Sequence, residues 1–80
     1  MDSVVIYMQP DCPDCTNVKT FLDNFGVSYV EKDISADIAA LDDFRRLGLP
    51  ATPVTVVGEC SILGFSRRAL AQALRLSPQS

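Results

Sequence analysis

Pro13 stands between two cysteines, Cys12 and Cys15, and it decides where the first helix of this chain can begin. Proline has no N–H and its ring clashes with the preceding turn, so a helix accepts it only in the first turn. Downstream, Val18, Phe21, Leu22 and Phe25 recur at the i, i+3, i+4, i+7 spacing of an apolar helix face. Lys19, Asp23 and Asn24 turn away from that face, and Gly26 supplies a stop. Upstream, Ser3 to Met8 is short, β-branched and almost continuously apolar, as a strand buried on both faces should be. The cysteine pair is therefore expected at a strand-to-helix junction.

The rest of the chain punctuates itself in the same way. Ser28 to Asp33 reads as a second strand, with Val27 leading in. Ile38, Leu41 and Phe44 then recur at helical spacing, with Asp42, Asp43, Arg45 and Arg46 outward, Ser35 or Asp37 as cap and Gly48 as the end. Leu49-Pro50-Ala51-Thr52-Pro53 is a stiff connection. Val54 to Val57 and Cys60 to Leu63 form a hairpin about Gly58-Glu59. Ser66 is a good N-cap for a last helix carrying Leu70, Ala73 and Leu74 on one stripe, fraying near Pro78. The order βαβαββα predicts an α/β fold, with a four-stranded mixed sheet flanked by three helices. A parallel pair comes first and an antiparallel hairpin is added at the edge.

Eighty residues with 48% hydrophobic content suit one domain over residues 1–80. A net charge of −3, with basic residues scattered or paired, argues against nucleic acid as a partner. Met1-Asp2-Ser3 puts an acid where a signal peptide needs positive charge, and no stretch is long enough to span a bilayer, so a cytoplasmic chain with no membrane partner is expected. In a reducing compartment a close cysteine pair reads as redox-active or metal-binding rather than structural. With no histidine and only Cys60 besides the pair, neither usual four-ligand zinc site can be completed within one chain, and no metal is expected. An ion or iron-sulfur cluster shared between two chains is the reading from another class.

With Cys12 as N-cap, Pro13, Asp14 and Cys15 fill the first turn. An N-cap side chain accepts from the free N–H groups of that turn, so the Asp14 and Cys15 amides and the helix dipole favour a thiolate on Cys12. The same spacing brings the two sulfurs within bonding range, which suits attack by Cys12 on a disulfide and resolution by Cys15. Asp11 and Asp14 oppose the thiolate by like charge, although an acid at Asp14 also complements the dipole. Arg67 and Arg68 oppose the dipole of the last helix, and either meet an acidic partner or a thiol-peptide carboxylate, or form a solvated pair. Phe65 beside them is a docking aromatic or a core residue. Cys60 is expected to be an inert buried thiol.

Pro10-x-Cys12-Pro13-x-Cys15 between strand and helix, Thr52-Pro53 before a strand, and Gly64-Phe65 before the last helix resemble the glutaredoxin family of the thioredoxin superfamily in order and spacing. The resemblance implies a thioredoxin-like fold and a thiol-disulfide oxidoreductase. Cys12 is then the nucleophile, Cys15 the resolving thiol, Pro13 and Asp14 the rest of the active-site motif, and Pro53 a cis-proline. Thr52 offers its backbone to an extended substrate, and Gly64, Phe65 and Ser66 complete the substrate surface. Gln9, Asp14 and Phe65-Ser66-Arg67 stand where glutathione-using members carry a lysine, an aromatic and acids. That brings the chain nearer to the NrdH-redoxins, which take electrons from thioredoxin reductase and feed ribonucleotide reductase. The implied partners are disulfide-containing protein substrates and either thioredoxin reductase or glutathione. The implied chain is a monomer whose only redox group is its own disulfide, with glutathione as the one candidate cofactor.

Overall fold

In the computed structural model, which describes residues 3–76, the strand β1 (Val4–Met8) is the axis on which the chain is assembled. It is followed by α1 (Pro13–Asn24), β2 (Val30–Asp33), α2 (Ile38–Arg46), β3 (Val54–Val57), β4 (Cys60–Leu63) and α3 (Arg67–Leu74). The sheet order is β2-β1-β3-β4. β1 pairs parallel with β2, Val5 opposite Val30, and antiparallel with β3, Val4 opposite Val57 and Tyr7 opposite Val54. β4 pairs antiparallel with β3 through the Gly58-Glu59 turn and closes the sheet's second edge. The expected α/β fold, with its mixed sheet and three helices, is what the chain forms.

Alternation along β1 divides the core in two. Val4 and Ile6 join Val18 and Leu22 of α1 and Leu70 of α3 on one face, with Val57 and Ile62 beneath them. Tyr7 and Val54 meet Phe44 of α2 on the other, the Tyr7 and Phe44 rings 6.1 Å apart. Being central, β1 needs apolar residues in both directions, which is why its sequence runs almost without a polar break. Each helix starts on a side-chain cap. Asp37 accepts from the N–H groups of Ala39 and Ala40, and the Ser66 hydroxyl from that of Ala69 at 3.1 Å. In the turn before α2, Asp33 accepts from the Ser35 hydroxyl and N–H, which hold its carboxyl below the usual carboxylate range.

Three expectations need correction or bounding. The second strand begins at Val30 rather than Ser28, because β1 itself starts at Val4 and its ladder to β2 opens at Val5–Val30. Ile38 is not part of the apolar face of α2: it is 80% exposed, while Ala40 and Phe44 are buried. It lies roughly a third of a turn round the helix from Phe44, at the first position after the cap, beyond the stripe that meets the sheet. The fraying expected near Pro78 falls outside the described residues.

Thr55, in the middle of β3, is fully buried, and among the described residues its hydroxyl has no hydrogen-bond partner. It faces the Ile6 side of the sheet, between Ile6 on β1 and Ile62 on β4. A buried hydroxyl without a partner costs about 1–3 kcal/mol, and an apolar group of the same shape removes that cost. Thr55→Val is therefore expected to raise stability by about 1 kcal/mol, which is about 4–8 °C in melting temperature for a domain of this size. A lower melting temperature would show that the hydroxyl is satisfied.

Candidate active site

β1 delivers the chain to the site and Pro13 turns it. After Met8 come Gln9, Pro10 and Asp11, the last in the left-handed region at φ 59°, which a short polar side chain tolerates. Cys12 follows with extended backbone (φ −115°, ψ 99°) as N-cap of α1, with Pro13 at the first helical position. The Cys15 N–H donates to Cys12 Sγ at 3.2 Å and also lies 3.1 Å from the Cys12 carbonyl oxygen. The first-turn amide of Cys15 thus addresses the Cys12 sulfur as the sequence implies, whereas no hydrogen bond from the Asp14 amide reaches it. Cys12 and Cys15 are joined as a disulfide, their Cα atoms 5.2 Å apart. The two sulfurs are not equivalent: Cys15 is 2% exposed on the inner face of α1 with Val18, while Cys12 is half-buried at the rim.

Opposite the pair, the Thr52–Pro53 bond is cis and leads directly into β3. Pro53 is fully buried, and its carbonyl accepts from the Gly64 N–H at 2.8 Å. That bond ties the end of β4 to the start of β3, at a glycine whose φ of 74° suits the missing side chain. The Thr52 hydroxyl points at Cys12 Sγ from 3.9 Å and accepts from Gln9 Nε2 at 3.0 Å. Pro13 and Asp14 are exposed beside the sulfurs, and Asp14 Oδ1 accepts from Asn17 Nδ2 at 3.4 Å. Ser66 lies just beyond this cluster with its hydroxyl committed to capping α3. Phe65 turns instead onto α1, edge-on to Phe21 at 6.3 Å.

Gln9 was read only as the place of an absent lysine and not as a partner of Thr52, and the Thr52 hydroxyl was missed as a group that faces Cys12 Sγ from the β3 side. The signal for both is the pairing of β1 with β3. Continuing their register two residues past Tyr7–Val54 sets Gln9 against Thr52. Cys60 is the converse. It was expected to be buried but is a free, exposed thiol, set beside the hairpin turn on an edge strand with strand neighbours on one side only. It pairs with Val57, which pairs with Val4 at the end of β1 remote from Cys12, so it lies far from the disulfide. Among the described residues no group of three His, Cys, Asp or Glu side chains is placed to hold a metal ion.

A disulfide at a helix N-cap, with one sulfur at the surface and one beneath it, facing a cis-proline at a strand start in this four-stranded sheet, is the arrangement of a thioredoxin-like oxidoreductase. Within that class the chain belongs to the glutaredoxin family, whose model matches residues 4–62, from β1 into β4. A variant of the thioredoxin-like protein BC3987 superposes with a TM-score of 0.88 at 35% identity, over 96% of this chain and 100% of that one. NrdH-redoxin from Escherichia coli follows the same path with a TM-score of 0.79 at 26% identity, over 98% and 99% of the two chains. Glutaredoxin from Archaeoglobus fulgidus gives a TM-score of 0.78 at 25% identity, over 94% and 88%. No curated protein matches the chain by sequence.

Proposed function

We propose that this protein is a cytoplasmic dithiol reductase of protein disulfides, reset by thioredoxin reductase and donating electrons to enzymes such as ribonucleotide reductase. The observation that carries the reading is the asymmetry of the pair, with Cys12 at the rim and Cys15 2% exposed beneath it. Of the pair, only Cys12 is open to a second protein. In the reduced state its thiolate attacks a substrate disulfide, forming a Cys12–substrate bond and expelling the first substrate sulfur. Cys15, held a turn away, then attacks Cys12 Sγ, closes the internal disulfide and releases the second sulfur. Two electrons pass to the substrate, whose thiols take the protons that Cys12 and Cys15 lose. Thr52 sits two residues outside the β1–β3 ladder, with its hydroxyl facing Cys12, where its backbone can pair with an extended substrate strand.

The choice of reductant rests on the surroundings of Cys12. Gln9 donates to Thr52 where a lysine would offer a cation to a glutathione carboxylate, and α3 opens with Arg67 and Arg68 where acids would meet the glutathione amine. NrdH-redoxin, a glutaredoxin-like protein with a thioredoxin-like activity profile, is similar over nearly the whole chain. The test is a coupled assay. Oxidised protein with NADPH and thioredoxin reductase is expected to consume NADPH continuously when a protein disulfide is supplied. Turnover only with NADPH, glutathione and glutathione reductase would replace this reading with that of a glutathione-dependent glutaredoxin.

A further inference from the structure

We propose that a groove along the outside of α1, beginning at Asn17 just past the disulfide, is a docking site for the acidic, aromatic flank of a protein substrate. The inference rests on the disulfide-reductase reading above and adds the substrate's chemistry to it. Asn17, Thr20, Phe21, Asn24 and Phe25 fall on one stripe of α1 and its cap, and Phe65 and Arg67 form the other wall of a cavity of about 370 Å³. Phe21 is the hinge of an aromatic cluster, 4.8 Å from the Phe25 ring and 6.3 Å from Phe65. Phe25 is 44% exposed, so one ring of a three-ring cluster stands open to solvent. An aromatic or large apolar side chain laid against Phe25 and Phe65 would bury that surface in the tilted and edge-on geometries that rings prefer.

Charge determines what accompanies it. None of the seven lining residues is acidic. Arg67 lies over the Phe65 ring at 6.0 Å, and Arg68 follows it in the first turn of α3, where the helix dipole is already positive. The ion pairs of the described residues, Lys19 with Glu31 and Asp43 with Lys32 and Arg46, involve neither arginine. A chain of net charge −3 thus keeps, among the described residues, two arginines without an acid partner, Arg67 lining the aromatic groove and Arg68 next to it in sequence. An aspartate or glutamate on the partner supplies what they lack. Asp14 at the Cys12 end repels such a group there, so it is directed to the α3 end. Along α1 the distance from Cys15 to Phe21 is roughly 9 Å, which an extended peptide covers in about three residues; the acid and the aromatic therefore belong about three to five residues from the substrate cysteine.

The experiment uses two synthetic peptide disulfides that are identical except about four residues to either side of the cysteine, where one carries Asp-Phe and the other Lys-Ala. Hydroxyethyl disulfide, too small to reach the groove, is the reference for each protein. The reduced wild type is expected to react about tenfold faster with the Asp-Phe peptide. In Arg67→Glu/Arg68→Glu that ratio should fall to about one or below. Glutamate in the first turn of a helix favours the dipole, so this variant keeps its fold. Equal rates for the two peptides in the wild type, or a preference surviving the double substitution, overturn the proposal. A wild type inert even towards hydroxyethyl disulfide overturns the reductase reading instead. Concentration-dependent self-association abolished by Phe25→Ala would assign the groove to a second copy of this chain and overturn the proposal as well.

Discussion

The Cys15→Ser variant is expected to stop half-way through its reaction, covalently held to its substrate through Cys12, whereas Cys12→Ser should not react at all. The difference follows from burial. A folded substrate can reach the half-buried sulfur of Cys12 but not that of Cys15, which is 2% exposed under the first turn of α1. Replacing Cys12 removes the only accessible sulfur of the pair, and a serine hydroxyl there has neither the acidity nor the sulfur needed to exchange with a disulfide. Turnover should fall on the order of a thousandfold or more. In Cys15→Ser the first exchange proceeds, since the Cys12 side chain, the position-15 amide that addresses it and the Thr52 hydroxyl are all retained. What is lost is the displacement by a group held in place, whose advantage over a free thiol is that of an intramolecular reaction. The mixed disulfide then persists until an external thiol removes it. Because Cys60 is exposed and free, the comparison belongs in a Cys60→Ser background, so that a single adduct by intact-mass measurement reports Cys12 alone. An adduct on Cys12→Ser and none on Cys15→Ser would reverse the roles of the two cysteines.

That exposed Cys60 marks where reading the chain as a string fails. Features set by a residue and its near neighbours were legible. Pro13 placed the start of α1, Gly58-Glu59 the hairpin turn, and Asp37 and Ser66 offered oxygens to the amides that follow them. In each case the cause lies within about four residues of its effect, because it is a steric limit or a local hydrogen bond. Burial is different in kind. Ile38 and Cys60 have the composition of core residues, but one stands off the face of α2 that meets the sheet and the other sits beside a turn on an edge strand. Neither fact exists until the elements are placed.

The candidate site divides along the same line. The cysteine pair and its helix are local and could be read directly. The Gln9 to Thr52 hydrogen bond spans 43 positions, and it becomes readable only once β3 rather than β4 is known to lie beside β1. The aromatic groove is more remote still. Phe21 and Phe25 look like a core stripe in the sequence, but only Phe21 packs against the core, and Phe65 reaches them from the far end of β4 because Gly64 is tied to Pro53. The family match reaches residue 62, so the arginines at the start of α3 lie outside what the family model covers.

Leu70→Ala is expected to be the most destabilising single truncation in α3, costing about 3–4 kcal/mol. Leu70 is the one buried residue of that helix and is fully enclosed, packed with Ile6, Val18, Leu22 and Ile62 between the sheet and α1. Truncating a leucine in such a position removes its transfer free energy and leaves a cavity that neighbours fill only in part, a loss of about 2.7–5 kcal/mol in comparable cases. Leu70 belongs in the middle of that range, because α3 has only eight residues and its other apolar contacts, Ala69, Ala73 and Leu74, are half-buried and free to adjust. For a chain of this length the whole folding free energy is about 4–12 kcal/mol, so the variant gives up about a quarter or more of it, and melting should fall by about 12–30 °C. Ile38→Ala is the contrast: it is the same kind of truncation at a residue 80% exposed, and it should change stability by less than about 0.5 kcal/mol. Urea unfolding of both variants measures the difference, with an unchanged slope showing that the midpoint shift is a change in stability. A Leu70→Ala protein within about 1 kcal/mol of wild type would mean that α3 is not held to the sheet through Leu70. The acid-selective groove, one wall of which is the start of α3, would then lack the fixed geometry on which its selectivity depends.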